Sequence, residues 1–421
     1  MQISLLILHF IVIIFLISKL PFFRNSGLSL FELLLFFLLK VLVGFLLIWV
    51  YSNIYPERNR ADVFKYFDDA CIIWSNVNYN ILSVFQFLLS PLSPSFELLV
   101  ANTHHVDKQG GGFLDASHLS VIKLNLVIRL FSSAYIFIHS LWFSFLSFTG
   151  CVAIYQVFSL INDKGKFALK CSFFLLPSLL FWGSGLIKES LVFFSIGLLI
   201  LSFHNAVTKK SIIAVVLFSF IAFFLLTLKP FILFVFILSV LFYVLPLKFK
   251  IVFTVLLTVV FLLFSNPIAK KLLGKRNEFT RNAEKRNANS VIDTKIYEGK
   301  GVELYKLVPD AIISIFIKPN FFHKFSKRDI LFAIENILFL ILLLFAIYNF
   351  NCYRHFNHSL LISVLVFTLA QLFIVGLSVS VLGAIVRYKV TALPFLWYVV
   401  LYPYDLTKYI YDKFGRNLLK N

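Results

Sequence analysis

The chain has 421 residues, of which 60% are hydrophobic and 14% charged, with 53 Phe and a formal net charge of +19. Soluble domains run near half apolar and about a quarter charged, so no soluble fold of this length could hide so much apolar surface. A charge of this sign on a water-soluble protein would indicate nucleic acid. On a chain this apolar it indicates anionic lipid headgroups or phosphate-bearing substrates, and no nucleic acid.

The apolar residues come in runs about twenty long, enough to cross a bilayer core of roughly 30 Å as a helix. With no water in that core to satisfy an open backbone, the runs must be helical. In chain order they fall at about 3–20, 29–51, 134–158, 171–183, 190–206, 211–228, 231–246, 250–265, 330–349, 359–380 and 390–404. The expected fold is an all-α polytopic transmembrane helical bundle of about 10–11 spans, one integral membrane domain over 1–421. The first run lacks a basic leader and a small-residue cleavage site, so it reads as a retained span. The runs at 171–183 and 231–246 are short, which suits a re-entrant segment or burial against neighbours. Cys71, Cys151, Cys171 and Cys352 show no metal or CxxC spacing and read as buried free thiols.

Two long segments interrupt the spans. The first, 52–133, holds amphipathic stretches, Pro91, Pro94 and the triplet Gly110 to Gly112. The second, 266–329, is basic, with thirteen Lys/Arg against six Asp/Glu up to Lys327. Its echo KRNEFTRNAEKRN spaces Arg276, Arg281 and Arg286 so that they do not stack on one helix face. The short connections concentrate Lys and Arg on the side that holds Lys164, Lys209, Lys248 and the tail. By the positive-inside rule the C-terminus is then cytoplasmic and both long segments lie outside. The basic segment runs against that rule, which weakens for loops of about sixty residues or more.

Under this topology four features gather at the outer boundary. In ADVFKYFDDA a helix would put Asp62, Tyr66 and Asp69 on one face and Asp68 beside Lys65. A carboxylate there could serve as general base or metal ligand, or simply solvate an amphipathic helix on the membrane. In PSLLFWGSGLIKES, Pro177, Gly183 and Gly185 suit a tight turn that places Lys188 and Glu189 at the rim; an ordinary anchored hairpin would look the same. Lys229, Arg387 and Lys389 close span ends and, with Lys188, could bind phosphate or snorkel. The basic segment, with Tyr297, Tyr305 and His323, could cover the site or rest on anionic lipid. Within the bilayer Lys40 needs a partner, for which Glu335 and His139 are candidates. His104, His105 and Asp107 could hold a metal, although adjacent histidines point apart on most backbones, and no metal site is assigned.

Acidic residues in a first large outer loop, followed by PSLLFWGSGLIKESL, resemble the GT-C superfamily of membrane glycosyltransferases. In that superfamily a proline-led aromatic helix end precedes a second acidic residue, here Glu189. PDAIISIFIKP, AIENILFLIL and AIVRYKVTALPF are similar to membrane proteins of surface-polysaccharide clusters, and the layout resembles O-antigen and capsule polymerases. An extra span before the acidic loop and the absence of a strict DxD, with Asp68–Asp69 the nearest acidic pair, depart from the simplest GT-C pattern.

The resemblance implies glycosyl transfer or repeat-unit polymerisation at the bacterial inner (cytoplasmic) membrane, from a sugar carried on a polyprenyl phosphate or pyrophosphate, with another lipid-linked glycan as acceptor. Asp62, then Asp69, is the expected base, and Glu189 the second acidic residue. Lys188, Lys229, Arg387 and Lys389 would hold the departing phosphate. No cofactor is required, and a bridging divalent metal is compatible with the chemistry. A transporter or flippase of the same lipid-linked glycans is the alternative of a different class. A non-catalytic membrane partner of polysaccharide export or flippase proteins is the third reading.

Overall fold

The computed structural model describes residues 1–54, 58, 61–77, 80–89, 99–100, 102–104, 116–285, 291–319 and 330–418. Among them the structure is all-α, with a lone antiparallel bridge between Val291 and Val381. The helices used below are, in chain order, α1 (Gln2–Lys19), α2 (Leu30–Ile54), α3 (Asp62–Asn76), α4 (Ile81–Leu89), α5 (Ala116–Ser132), α6 (Ile136–Ile161), α7 (Lys166–Lys170), α8 (Pro177–Trp182), α9 (Lys188–Lys209), α10 (Ile212–Leu228), α11 (Pro230–Val244), α12 (Leu247–Leu263), α13 (Ser265–Lys285), α14 (Gly301–Phe316), α15 (Ile330–Tyr348), α16 (His358–Ser378), α17 (Leu382–Lys389) and α18 (Leu393–Leu418). Six helices among the described residues are long and apolar enough to cross a bilayer, and eight if each of two bent pairs is one span. The chain is a polytopic helical membrane protein.

Several expected spans change in detail. The run at 171–183 is not one helix: a π-helical turn over Cys171–Leu175 meets Pro177, and α8 stops at Trp182. Proline lacks the N–H that would continue the ladder, so each proline restarts a helix at its first turn. The runs at 211–228 and 231–246 form helices of 17 and 15 residues, split at Lys229–Pro230. The four cysteines are free, but only Cys151 is fully buried. Burial pushes the Cys71 thiol up against the pull of Arg129, which keeps it a weak nucleophile.

The chain divides into two compact units, 1–160 with 179–233, and 161–178 with 234–421. In the first, Ser29 opens α2 with a capping box: its hydroxyl accepts from the Glu32 N–H (3.2 Å), and Glu32 accepts from the Ser29 N–H (2.9 Å). Phe23, Phe37, Phe145 and Phe148 pack ring on ring beside it. Helices α6 and α9 touch backbone to backbone, since a Cβ on Gly150 would stand 2.2 Å from the Phe193 carbonyl oxygen. The same crossing puts a Cβ on Gly197 at 2.1 Å from the Gly150 oxygen.

Between α8 and α9 the backbone of Gly183–Ile187 is non-helical yet buried. Polar backbone at such a site needs protein partners. Ser147 donates to the Gly183 carbonyl (2.6 Å), Ser144 accepts from the Gly185 N–H (3.0 Å), and Ser190 donates to the Gly185 carbonyl (2.8 Å). Gly185 adopts φ +72°, where a side chain would be strained.

The α5–α6 turn is tight, with Ser133 and Ala134 at φ 49° and 56°. It is held by a buried network. The Asn125 amide donates to the Val121 carbonyl (3.0 Å), which leaves Asn125 Oδ1 to accept from His139 Nδ1 (2.9 Å). His139 Nε2 is then the acceptor for the Ser132 hydroxyl (2.7 Å). His139 is thus committed to Ser132 and Asn125, and Glu335 to Ser178. Neither pairs with Lys40, which is 3% exposed and makes no hydrogen bond or ion pair among the described residues.

In the second unit the Asp405 carboxylate accepts from the Phe167 and Ala168 N–H groups (2.8 and 3.1 Å) at the start of α7, where the helix dipole favours an anion. Helix α12 bends by 72° into α13, and α17 by 64° into α18. Among its described residues the basic segment is largely helical, as α13 and α14. Leu273 of α13, Leu304, Leu307 and Ala311 of α14 and Leu377 of α16 form one apolar cluster. Arg276 is buried and donates to the Gly376 and Val379 carbonyls (3.2 and 2.9 Å) and to Asp293 (3.2 Å). Those carbonyls are the ones a helix C-terminus leaves open. Arg281 of the same echo is exposed, as its spacing predicts.

Candidate functional site

The polar cluster that best fits the predicted chemistry lies in the first unit. Helix α9 and helix α10 form an antiparallel hairpin through Lys210, which takes a left-handed conformation (φ 49°). The N-terminus of α9 and the C-terminus of α10 are thereby neighbours. Glu189 sits in the first turn of α9 and Lys229 caps the end of α10. Each charge is on the helix end whose dipole favours it. The two meet as an ion pair, Lys229 Nζ to Glu189 Oε1 at 3.2 Å, with side chains 9% and 0% exposed. Pro230 follows at once and prevents α10 from running on into α11, which keeps Lys229 at the break.

The first turns of α5 complete the cluster. Lys188 donates to the Ser117 hydroxyl at 2.9 Å, and the Ser120 hydroxyl donates to Thr227 in the last turn of α10 at 3.0 Å. Between them His118 Nδ1 meets the Tyr66 hydroxyl of α3 at 3.1 Å, the two rings stacked at 5.8 Å. Residues 62–76 are helical as predicted, so Tyr66 and Asp69 lie on the buried face of α3. Asp69 is wholly buried and accepts the backbone N–H of His104 at 2.7 Å. Asp62 stands half-buried at the N-terminus of the same helix. Asp68 does not pair with Lys65; its carboxylate takes both Arg58 nitrogens, at 3.1 and 2.8 Å. The arrangement offers a buried carboxylate paired with a lysine, a further lysine on a hydroxyl, and two aspartates on a neighbouring helix. Such a set can take a proton and stabilise developing phosphate charge.

Arg387 and Lys389 belong to the second unit, on the short helix α17. Lys389 is 1% exposed and donates to Asn336 Oδ1 (2.8 Å) and to the Ile315 carbonyl (3.2 Å). Its ammonium is spent on the interior. Asn336 in turn donates to the Pro319 carbonyl (3.2 Å). The adjacent Glu335 accepts from the Ser178 N–H and hydroxyl at 2.8 and 2.7 Å. Glu335 also lines an apolar groove of roughly 410 Å³ with Pro177, Leu338, Trp397, Leu401 and Tyr404.

The structure thus brings Lys188, Glu189 and Lys229 together, joined through α5 to the helix that carries Asp62 and Asp69, and seats Arg387 and Lys389 in the other unit. Spacing in the chain did not expose Ser117, His118, Ser120 or Thr227; ordinary polar residues become site residues only through packing. Of the candidate metal trio, His105 and Asp107 lie outside the described residues, and His104 offers Asp69 its backbone. No group of three or more His, Cys, Asp or Glu that could hold a metal occurs among the described residues. Compared with family models, curated proteins and solved structures, the chain matches none.

Proposed function

We propose that this protein transfers a glycosyl group, singly or in repeat units, from a polyprenyl-(pyro)phosphate-linked donor in bacterial surface-polysaccharide assembly at the cytoplasmic membrane. The observation that carries the reading is the Lys188–Glu189–Lys229 cluster, where two helix ends meet beside α5. Acceptor activation needs a carboxylate that stays ionised, and departure of a lipid phosphate needs nearby cations. Asp62, half-buried at the mouth of α3, takes the acceptor hydroxyl proton; Asp69, enclosed and bonded to the His104 N–H, is the second candidate. Lys188 and Lys229 meet the departing phosphate, with Glu189 holding Lys229 in place. Arg387 of α17 is a separate candidate cation for phosphate within its own unit, where Lys389 is already held by Asn336 and the Ile315 carbonyl.

The test is polysaccharide production in a deletion strain complemented with Asp62→Asn, Glu189→Gln or Arg387→Ala at matched membrane levels. Glycan length on a gel is read beside the pool of lipid-linked intermediates. Loss of long chains with repeat units accumulating on the outer face is the expected result. Accumulation on the inner face would assign the protein to transport of the same lipids. Normal polysaccharide from all three variants would overturn the site.

A further inference from the structure

Helices α13 and α14 each bury one face and leave the other uncovered. The buried face of α13 carries Ala269, Leu273, Arg276 and Thr280. Its uncovered arc carries Lys270, Lys271, Lys275, Arg281 and Lys285, with Glu278 among them and Glu284 at the margin. The uncovered face of α14 is mainly apolar instead: Val302, Tyr305, Ile312 and Ile313 are 63%, 42%, 50% and 42% exposed, with Pro309 among them and Lys306 and Asp310 along one edge. An exposed apolar face of this kind on a helix too polar to span a bilayer requires a cover of its own.

The geometry identifies that cover. Helix α13 leaves the end of the α12 span at 72°, so it runs across the span direction. Helix α14 packs against the last turns of α16, where Ala311 meets Gly376 and Leu307 shares a cluster with Leu377. The Tyr305 ring lies edge-on to Phe261 in the last turn of α12, 6.2 Å between centroids. Two span ends, Leu263 and Ser378, therefore meet the helix pair at one level, and that level is a membrane boundary. Tyrosine beside lysine at such a level is the usual interfacial anchor.

We infer that the α13–α14 pair is an interfacial element that rests on anionic lipid. Helix α14 seats its apolar face between headgroups and acyl chains, and the cations of α13 hold lipid phosphates. This does not rest on the transferase reading.

The test uses the full-length protein in nanodiscs of phosphatidylcholine with or without phosphatidylglycerol. A spin label at position 313, in protein with its four cysteines replaced, is expected to be several-fold more accessible to oxygen than to a water-soluble nickel complex. A label at the exposed loop position Lys295 should show the reverse. In protein with its native cysteines, spin-labelled phosphatidylglycerol should be immobilised several-fold more than the phosphatidylcholine analogue. That preference should vanish in K271E/R281E/K285E and at about 1 M salt, where the screening length is about 3 Å. Equal nickel access at 313 and 295, or equal immobilisation of the two lipids, would overturn the inference.

Discussion

Replacing Gly197 by Ala tests the core of the first unit. The new Cβ would stand 2.1 Å from the Gly150 oxygen and 2.5 Å from the Gly150 Cα, both backbone atoms that no rotamer change can move. Ordinary contact needs about 3.5 Å, so α6 and α9 must part by about 1 Å or more along their crossing. Overpacking of this kind costs about 1–3 kcal/mol, and a gap of about 1 Å forfeits up to half of each dispersion contact beside it. The expected loss is about 3 kcal/mol, roughly a hundredfold in the unfolding equilibrium. Gly274 on α13 is the control, since a Cβ there meets nothing within 4 Å. Gly274→Ala should stabilise by about 0.5–1 kcal/mol through helix propensity alone. Denaturant titration of detergent-solubilised protein measures both. If G197A unfolds no more readily than the parent while G274A behaves as expected, the backbone contact between α6 and α9 is not there.

Two further predictions follow, the first read by the same titration and the second by limited proteolysis. Lys229→Met removes the ammonium that meets the buried Glu189 carboxylate at 3.2 Å and should cost about 3–5 kcal/mol, most of it recovered when Glu189→Gln is added. Asp293 gives a pH dependence. Burial pushes its carboxyl up, but the Tyr297 hydroxyl (2.6 Å), the Lys295 N–H and Arg276 together hold it below the ordinary range. A depressed folded pKa means stability present above the unfolded value of about 3.9 and lost as pH falls through the folded value. The segment 291–300 should therefore become protease-sensitive in acid, and Asp293→Asn should show that sensitivity already at neutral pH. The same cluster, burial first and then the Asp293 carboxylate, pushes Tyr297 up to about 12, so its hydroxyl stays a donor throughout this range.

The spans were legible because bilayer thickness turns into run length, a property of composition that needs no tertiary information. The break at 177–187 was also legible, through Pro177, Gly183 and Gly185. What composition hides is helicity outside the spans and partnership at a distance. The 266–329 segment reads as a basic loop, yet the small and apolar residues Ala269, Leu273 and Leu304 give α13 and α14 a buried stripe. Glu189 and Lys229 were each marked by their place at a span end. Their pairing across forty positions depended on the turn at Lys210, whose left-handed backbone nothing in its side chain announces. Lys389 stood out as an exposed-looking cation, but Asn336 claims its ammonium from another helix.

That forty-residue separation also bears on biogenesis. At a synthesis rate of about 5–20 residues per second, Glu189 is made roughly 2–8 s before Lys229. The serines of α6 that shelter Gly183 and Gly185 are already made by then, so the buried turn finds those hydrogen bonds on arrival, whereas the ion pair next to it has to wait for Lys229. The charge pair between α9 and α10 therefore closes only after the second helix of the hairpin has been made. The order of its two charges in the chain sets the earliest moment at which this hairpin can join its ends.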